Sequence, residues 1–478
     1  LRRLSTCRIV RKVEQYHGHW WEPGTDVKAP GVFTLDEDGG GQLELVGGFE
    51  LGIFEEPAPG MRTYSGAQRR TPVLLGQAGS KSITLINCIA TRTDGFSSPT
   101  FQRFHVDQSL FGAWVPSRSE AVIRKAFLRV ENLTSWGMLD AWERTVRFPD
   151  SERQSASIKP IAPETVEVEG WTYTLAVVPS GFHHTQTRAT TQLIGDITAR
   201  IEIAPPSPIS IDKINVKVQE LTDLLTLAAG TACGVISLGF EHVEEQIVRD
   251  PRDPNGEPRK LTIPFYSRGR RIYQASPDEP AVRADKFRFT AADTAFSDLL
   301  PNWLRVRRAC GSASNIYFGN FYAPASYTEM RLFTMAVTAE SLHAAMFGTE
   351  GAATSQDEVR HARNLVKEHF EQGRARELVL EALKHGPTFQ ERMVHLAGVP
   401  NAEAVQLLIP DVGAWARELK KARNGVAHGA IDKLSPEMFQ IFKQTEDLLA
   451  LVYMQLLGFD AEVQLRAARD AMEHWPTD

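Results

Sequence analysis

Over the first two hundred residues, short runs alternate apolar with polar positions. Val32-Phe33-Thr34-Leu35 and Gln42-Leu43-Glu44-Leu45 flank Asp36-Glu37-Asp38-Gly39-Gly40-Gly41, and alternation about a Gly-rich turn predicts a hairpin. Further strand-like runs cover 82–92, 121–130, 172–178 and, in two pieces, 190–203. Short strands at this density, separated by Gly, Pro and Asp, predict a sandwich or a barrel. Pro205-Pro206-Ser207-Pro208 ends the last run and reads as a linker. Helical spacing follows over 211–229, with Ile214, Val218, Leu221, Leu225 and Ala229 on one face, and a polar, Pro-rich loop around 250–260 leads to a strand at 261–266.

From about Ala291 the period is helical and stays so. The spacing predicts six or seven helices, at 292–310, 325–347, 355–371, 375–396, 411–422, 435–457 and 460–474. In the sixth, Met438, Ile441, Phe442, Thr445, Leu448, Leu449, Val452 and Leu456 form a wide apolar stripe, as befits a helix inside a bundle. The fold class is therefore α+β and multidomain. A β-rich sandwich or barrel is expected over 1–290, with a sub-boundary near 205–210, followed by an all-α bundle over 291–478.

Composition narrows the function. A chain of 478 residues, 42% hydrophobic and 23% charged, buries sizeable cores, which excludes global disorder. Its 53 Lys and Arg against 59 Asp and Glu give a net charge of −6. Bulk positive charge therefore cannot draw it to nucleic acid, and any phosphate contact must come from a local basic cluster. Cys7, Cys88, Cys233 and Cys310 are scattered without CxxC spacing, which suits a reducing cytoplasm and argues against a thiolate zinc site. The N-terminus, basic and broken by charge, predicts no signal peptide. The uncharged run from Leu224 to Phe240 is 17 residues with three glycines, which is short for a membrane span. It reads as a buried helix turning at Gly230 and Gly234 into a strand.

One segment gathers chemistry: Arg417-Glu418-Leu419-Lys420-Lys421-Ala422-Arg423-Asn424-Gly425-Val426-Ala427-His428-Gly429. Arg417, Lys420 and Lys421 fall on one helical face, and Arg423 adds a fourth cation. Asn424-Gly425 predicts a helix stop, since both tolerate positive φ. On an unbroken helix Arg423 and His428 would stand about 140° apart, so the break is expected to let them converge. These groups suit metal-independent RNA cleavage. RNA carries its own nucleophile, the 2′-hydroxyl, so a protein need only move protons, as an imidazole does, and stabilise charge on phosphorus, as a guanidinium does. Asn424 can orient either group. Base and acid are both required and the motif holds one His, so the chemistry points to a two-fold dimer. The bland reading is a solvated basic helix end with a capping His. Arg363-Asn364, followed by His369, repeats part of the pattern inside an uninterrupted helical run and reads as surface.

Other candidates are weaker. His183-His184 lack an acidic or thiol partner at ligand spacing. His17 and His19 beside Trp20-Trp21 suit an aromatic corner of the core. Asp36, Glu37 and Asp38 read as a solvated hairpin tip. Gly39-Gly40-Gly41 lacks the Lys-Ser/Thr of a phosphate loop, and no G-x-S-x-G elbow supports a serine triad.

Arg423-Asn424-Gly425-Val426-Ala427-His428 resembles the R-N-x3-H motif of the HEPN superfamily, and the wider chain resembles ApeA-type HEPN proteins. Leu299-Leu300-Pro301-Asn302-Trp303-Leu304 and the later Glu340-Ser341-Leu342-His343 are similar to that family's lead-in helices. Gly18-His19-Trp20-Trp21-Glu22-Pro23, Gly31-Val32-Phe33-Thr34-Leu35 and the stretch from Phe127 to Trp142 resemble its N-terminal domain. The resemblance implies an anti-phage defence protein of the abortive-infection kind, with a regulatory β-rich domain and a C-terminal endoribonuclease. It implies Arg423, Asn424 and His428 as catalytic residues, with Glu340 as an acidic neighbour. Arg417, Lys420 and Lys421 would bind RNA phosphate, and no metal or cofactor is called for. Products would be a 2′,3′-cyclic phosphate and a 5′-hydroxyl, from cellular RNA such as tRNA. The implied partners are a phage-encoded trigger protein and a second copy of the chain, in the cytoplasm and away from membranes. Two other readings stand beside it: a non-catalytic HEPN module that dimerises or senses RNA or a phage component, and a carbohydrate- or peptide-binding sandwich with an incidental helical tail.

Overall fold

The structure is a computed structural model. It describes residues 14–475 except 50–52, 59–60, 66–69, 95–100, 140, 147–153, 180–182, 245–246, 249–258, 269–279, 324–326, 351–353, 384, 428–435 and 474. His428, Cys7 and most of the Pro-rich loop around 250–260 lie outside the described residues. The chain divides into two compact units. One comprises Leu1–Thr134, Leu139–Thr222 and Cys233–Ala281, the other Ser135–Met138, Asp223–Ala232 and Val282–Asp478.

The first unit is built on β1 (Glu14–Trp21), β2 (Ala29–Leu35), β3 (Gly41–Val46), the hairpin β4 (Ile53–Ala58) and β5 (Met61–Ser65), β6 (Arg70–Ala78), β7 (Lys81–Asp94) and β8 (Phe101–Phe111). β1 pairs with β2, β2 with β3, β3 with β8, β8 with β7, β7 with β6, and β6 back with β1, all antiparallel. Of the two architectures the pattern allows, the structure selects a closed barrel of six strands. Closure removes the free edges that an open sheet would present. Alternation places Trp20, Phe33, Leu43, Leu45, Leu74, Leu85, Phe104 and Val106 in its interior. Gly76 is required there, because a Cβ would lie 2.2 Å from the Trp20 ring. Beyond β8 the sheet continues, β20 (Ile263–Ser267) leading through β17 (Val235–His242), β9 (Ile123–Val130), β16 (Ile197–Ala204) and β13 (Trp171–Pro179) to β12 (Glu164–Val168). The short helix α1 (Leu133–Trp136) follows β9, and β10 (Trp142–Val146) with β11 (Gln154–Ile158), β14 (His183–Gln186) with β15 (Thr191–Ile194), and β18 (Ile247–Val248) with β19 (Arg259–Lys260) pair as separate hairpins.

Three local expectations resolve here. The acidic tip between β2 and β3 is tied down: Arg268 reaches Asp36 and Asp38, each at 3.0 Å. His17 and His19 face outward on β1, while Trp20 is fully buried and Trp21 packs edge-on against Trp114 at 5.4 Å. The uncharged run from Leu224 is the end of α2 (Ile211–Ala229), which stops at Gly230 (φ 67°) and is followed by β17. Among the described residues no helix is long and apolar enough to cross a membrane.

The second unit is helical: α3 (Phe296–Ala309), α4 (Gly311–Tyr322), α5 (Thr328–Phe347), α6 (Gln356–His369), α7 (Arg374–Ala382), α8 (Phe389–Ala397), α9 (Ala402–Leu408), α10 (Val412–Ala427), α11 (Pro436–Leu457) and α12 (Ala461–Glu473). α11 is itself buried on every face from Gln444 to Met454. Trp303 of α3 is fully buried, edge-on to Phe318 of α4 at 5.7 Å. Four features differ from the periodicity. The first predicted helix is followed by a separate α4, whose Gly-Ser-Ala-Ser-Asn start is a poor helix former held by the burial of Tyr317 and Phe318. The run 375–396 is two helices, because Gly386 has φ 145°, outside the helical region, and Pro387 after it lacks the backbone donor that a continued helix would use. Short α9, opened by the Asn401 cap, escapes an eleven-residue window. And α10 runs through Asn424-Gly425 to Ala427, so no helix break occurs at that pair.

Candidate functional site

Three helices supply the site. α10 opens with Asp411, whose Oδ1 accepts the backbone N–H of Ala414 at 2.8 Å, an N-cap that satisfies one orphan donor of the first turn. Its inner face is Trp415, Ala416, Leu419 and Ala422, all buried, and the Trp415 indole N–H donates to Thr445 Oγ1 of α11 at 3.2 Å. Arg417, Lys420 and Lys421 lie outward and exposed, Lys421 within 3.6 Å of Glu418. Arg423 is set about 120° round the helix from Arg417, next to the buried face, and is half-buried. The four cations thus form two groups, an exposed face of three and a guanidinium turned inward.

Each arm of that guanidinium meets a different element. Arg423 Nη2 donates to Glu340 Oε2 of α5 at 3.3 Å, and Nη1 donates to Asn424 Oδ1 at 3.3 Å. The Cζ sits 5.4 Å from the ring centroid of Phe389, the first residue of α8, within range of a cation–π contact. Arg423 Nε is buried and has no hydrogen-bond partner among the described residues. A buried guanidinium N–H left unmet is costly, and an anionic oxygen is the group that satisfies it best. These ties also account for the continuous helix. A Gly inside α10 costs about 1 kcal/mol of intrinsic propensity, and the contacts of Arg423 with α5 and α8 hold the last turn against that tendency.

The structure thus brings Glu340, Arg423 and Asn424 together and sets Arg417, Lys420 and Lys421 apart from them. Phe389 was not foreseen. Its signal was Pro387 followed by Thr388-x-x-Glu391, a capping box in which Thr388 Oγ1 and the Glu391 carboxylate each accept a backbone N–H. That cap fixes where α8 starts and so where Phe389 stands. One turn beyond Glu340 on α5, His343 is fully buried and its Nε2 lies 3.1 Å from Nδ1 of His395 on α8. Burial, then the neighbouring His395 and Arg392, pushes His343 down to about 4.

Two comparisons bear on identity. Residues 15–303 match the family model for ApeA N-terminal domain 1, more than half of the chain, and residues 333–463 match that for Apea-like HEPN. The chain belongs to the ApeA family. It is a HEPN-containing anti-phage defence protein, and HEPN domains are generally ribonucleases. No curated protein and no solved structure matches it. The Apea-like HEPN match spans α8, α9 and α10 and includes Glu340, Phe389, Arg423, Asn424 and position 428, as well as His343 and His395. Among the described residues of this ApeA protein, no group of three or more His, Cys, Asp and Glu is placed to hold a metal ion.

Proposed function

We propose that this ApeA protein is a metal-independent endoribonuclease whose site is Arg423, Asn424 and His428, with Glu340 as the group that aims Arg423. The observation that carries the reading is the half-buried guanidinium of Arg423. It is braced on two sides by Glu340 and Asn424, lies against Phe389, and keeps a buried Nε–H that no described residue accepts. A phosphodiester oxygen satisfies that donor, and the charge that builds on phosphorus when a 2′-hydroxyl attacks strengthens the bond. His428 follows the last residue of α10 by one position and supplies proton transfer near neutral pH. One imidazole per motif serves as base or acid but not both in one step, so a second copy of the chain completes the chemistry. Cellular RNA, tRNA loops included, is the substrate class. The β-rich unit is the regulatory part that keeps the ribonuclease quiet until a phage component binds.

The test uses the full-length protein with total tRNA in EDTA, with and without extract from phage-infected cells. Cleavage is expected with 2′,3′-cyclic phosphate and 5′-hydroxyl ends, and His428→Ala should abolish it. If His428→Ala and Arg423→Ala both leave cleavage intact, the assignment is wrong. One observation favours a second reading, an RNA-binding module without catalysis: Arg417, Lys420 and Lys421 are exposed on the opposite side of α10 from Trp415 and Leu419, where they can hold phosphate whether or not a proton moves. Equal phage protection by wild type and His428→Ala would establish that reading instead.

A further inference from the structure

We infer that His343 and His395 form a hydrogen-bonded imidazole pair that positions Glu340, and through it the Arg423 guanidinium, for a phosphodiester. The inference rests on the ribonuclease reading above and adds two positioning residues to it.

The geometry is a closed ring of contacts among three helices. α5 meets α10 through Glu340 and Arg423, α10 meets α8 through Arg423 and Phe389, and α8 meets α5 through His395 and His343. The third contact is reinforced by Phe347, whose ring centroid is 4.3 Å from that of His395. Glu340 and His343 are three residues apart on α5, so their side chains leave the same face about 5–6 Å from one another. Fixing His343 against α8 therefore fixes Glu340 against the Phe389 end of that helix. An apolar pair would close the same seam more cheaply, because His343 Nδ1 is buried without a partner among the described residues. Polar pairs of this kind hold one register where apolar side chains tolerate several.

The tautomers follow from the orphan atom. If His343 accepted at Nε2, its proton would sit on Nδ1 and bury an N–H with no acceptor, the costlier arrangement. His343 therefore donates from Nε2 to Nδ1 of His395, and His395 carries its own proton on Nε2. The groups facing His343 are His395 and Arg392 on α8, with Glu340 one turn back on α5. A pKa lowered to about 4 means His343 stays neutral down to that pH, so it carries a single ring proton wherever RNA cleavage is assayed.

The experiment compares wild type, His343→Leu, His343→Gln, Glu340→Gln and the His343→Leu/Glu340→Gln double variant, all full length. His343→Leu should lower kcat by several-fold and by no more than the roughly tenfold loss of Glu340→Gln, as expected for a slightly misplaced group that acts through Glu340. KM should stay within about twofold and Tm should be unchanged or higher, because the buried orphan is gone. His343→Gln, which keeps a donor at the ε position, should recover part of kcat. In the Glu340→Gln background the His343→Leu loss should vanish. A loss of Tm without loss of kcat, or full additivity in the double variant, overturns the proposal. Imidazole ¹⁵N shifts read the pair without any turnover: His343 should stay a single neutral tautomer at pH 5.5, and titration near 6.5, the ordinary value, overturns it. Should wild type cleave nothing, the ribonuclease reading fails. The positioning is then decided by the Arg423 Nε resonance, which must shift in His343→Leu for the inference to stand.

Discussion

Arg363-Asn364 and Arg423-Asn424 are the same dipeptide set into two helices of one unit, and each is followed by a histidine in the sequence. An uninterrupted helix was expected to mark the first as surface, and a break at Gly425 to mark the second as a site. Both helices in fact run unbroken through the dipeptide, α6 from Gln356 to His369 and α10 from Val412 to Ala427. What separates them is the company each guanidinium keeps. Arg363 Nη1 donates to the backbone carbonyls of Leu380 and Leu383, at 2.7 and 2.8 Å, and so caps the C-terminus of α7, where orphan acceptors are due. Arg423 is held by a carboxylate, an amide and an aromatic ring, with its Nε unmet among the described residues. The first arginine completes a helix. The second is braced in place with a donor to spare.

The sharpest way to break this contrast is to delete both guanidinium groups in turn. Arg423→Ala should lower RNA cleavage by about 10²–10³, the usual cost of one charge-stabilising donor, while Arg363→Ala should leave the rate per folded molecule within about twofold. Similar losses from the two would show that the contacts described do not distinguish them. Next in size, Glu340→Gln should cost about tenfold in kcat, since the neutral amide braces Arg423 without a charge-assisted bond. An unchanged rate would remove Glu340 from the site.

Smaller effects sharpen the division within α10. Replacing Arg417, Lys420 and Lys421 together with Gln should raise KM by about three- to tenfold and flatten its dependence on salt, with kcat little changed, because solvated cations supply counterion release and no transition-state contact. A fall in kcat as large as that of Arg423→Ala would join the two groups again. Smallest in activity, Arg363→Ala should cost about 1 kcal/mol of stability through the two lost carbonyl bonds, read as a Tm lower by about 2–4 °C.

Where the sequence could be read, the reason is local. The hairpin about Asp36 to Gly41, the strands at 82–92 and 172–178, and the helix at 211–229 lie where their periods place them, because alternation and helical spacing are properties of neighbours in the chain. Misreadings share a cause too. Gly311 to Tyr322 has the composition of a loop and is helical because Tyr317 and Phe318 are buried. Asn424-Gly425 has the composition of a helix stop and lies within one because Arg423 is anchored from two other helices. In each case packing outweighed a propensity worth about 1 kcal/mol.

The sequence by itself determined the division into a strand-rich part and a helical part, the motif at 423–428, and the likeness to ApeA proteins on which its family rests. All of these are recorded in residue type and short-range spacing. Only the tertiary structure decided that the barrel closes and that Arg423 turns away from Arg417 and Lys421. It also decided that Glu340, 83 positions earlier, and Phe389 are what Arg423 touches, and that His343 finds His395 across 52 residues. Contacts at such separations depend on which helix faces pack together. That is settled by burial summed over the whole unit, which no single stretch of chain encodes.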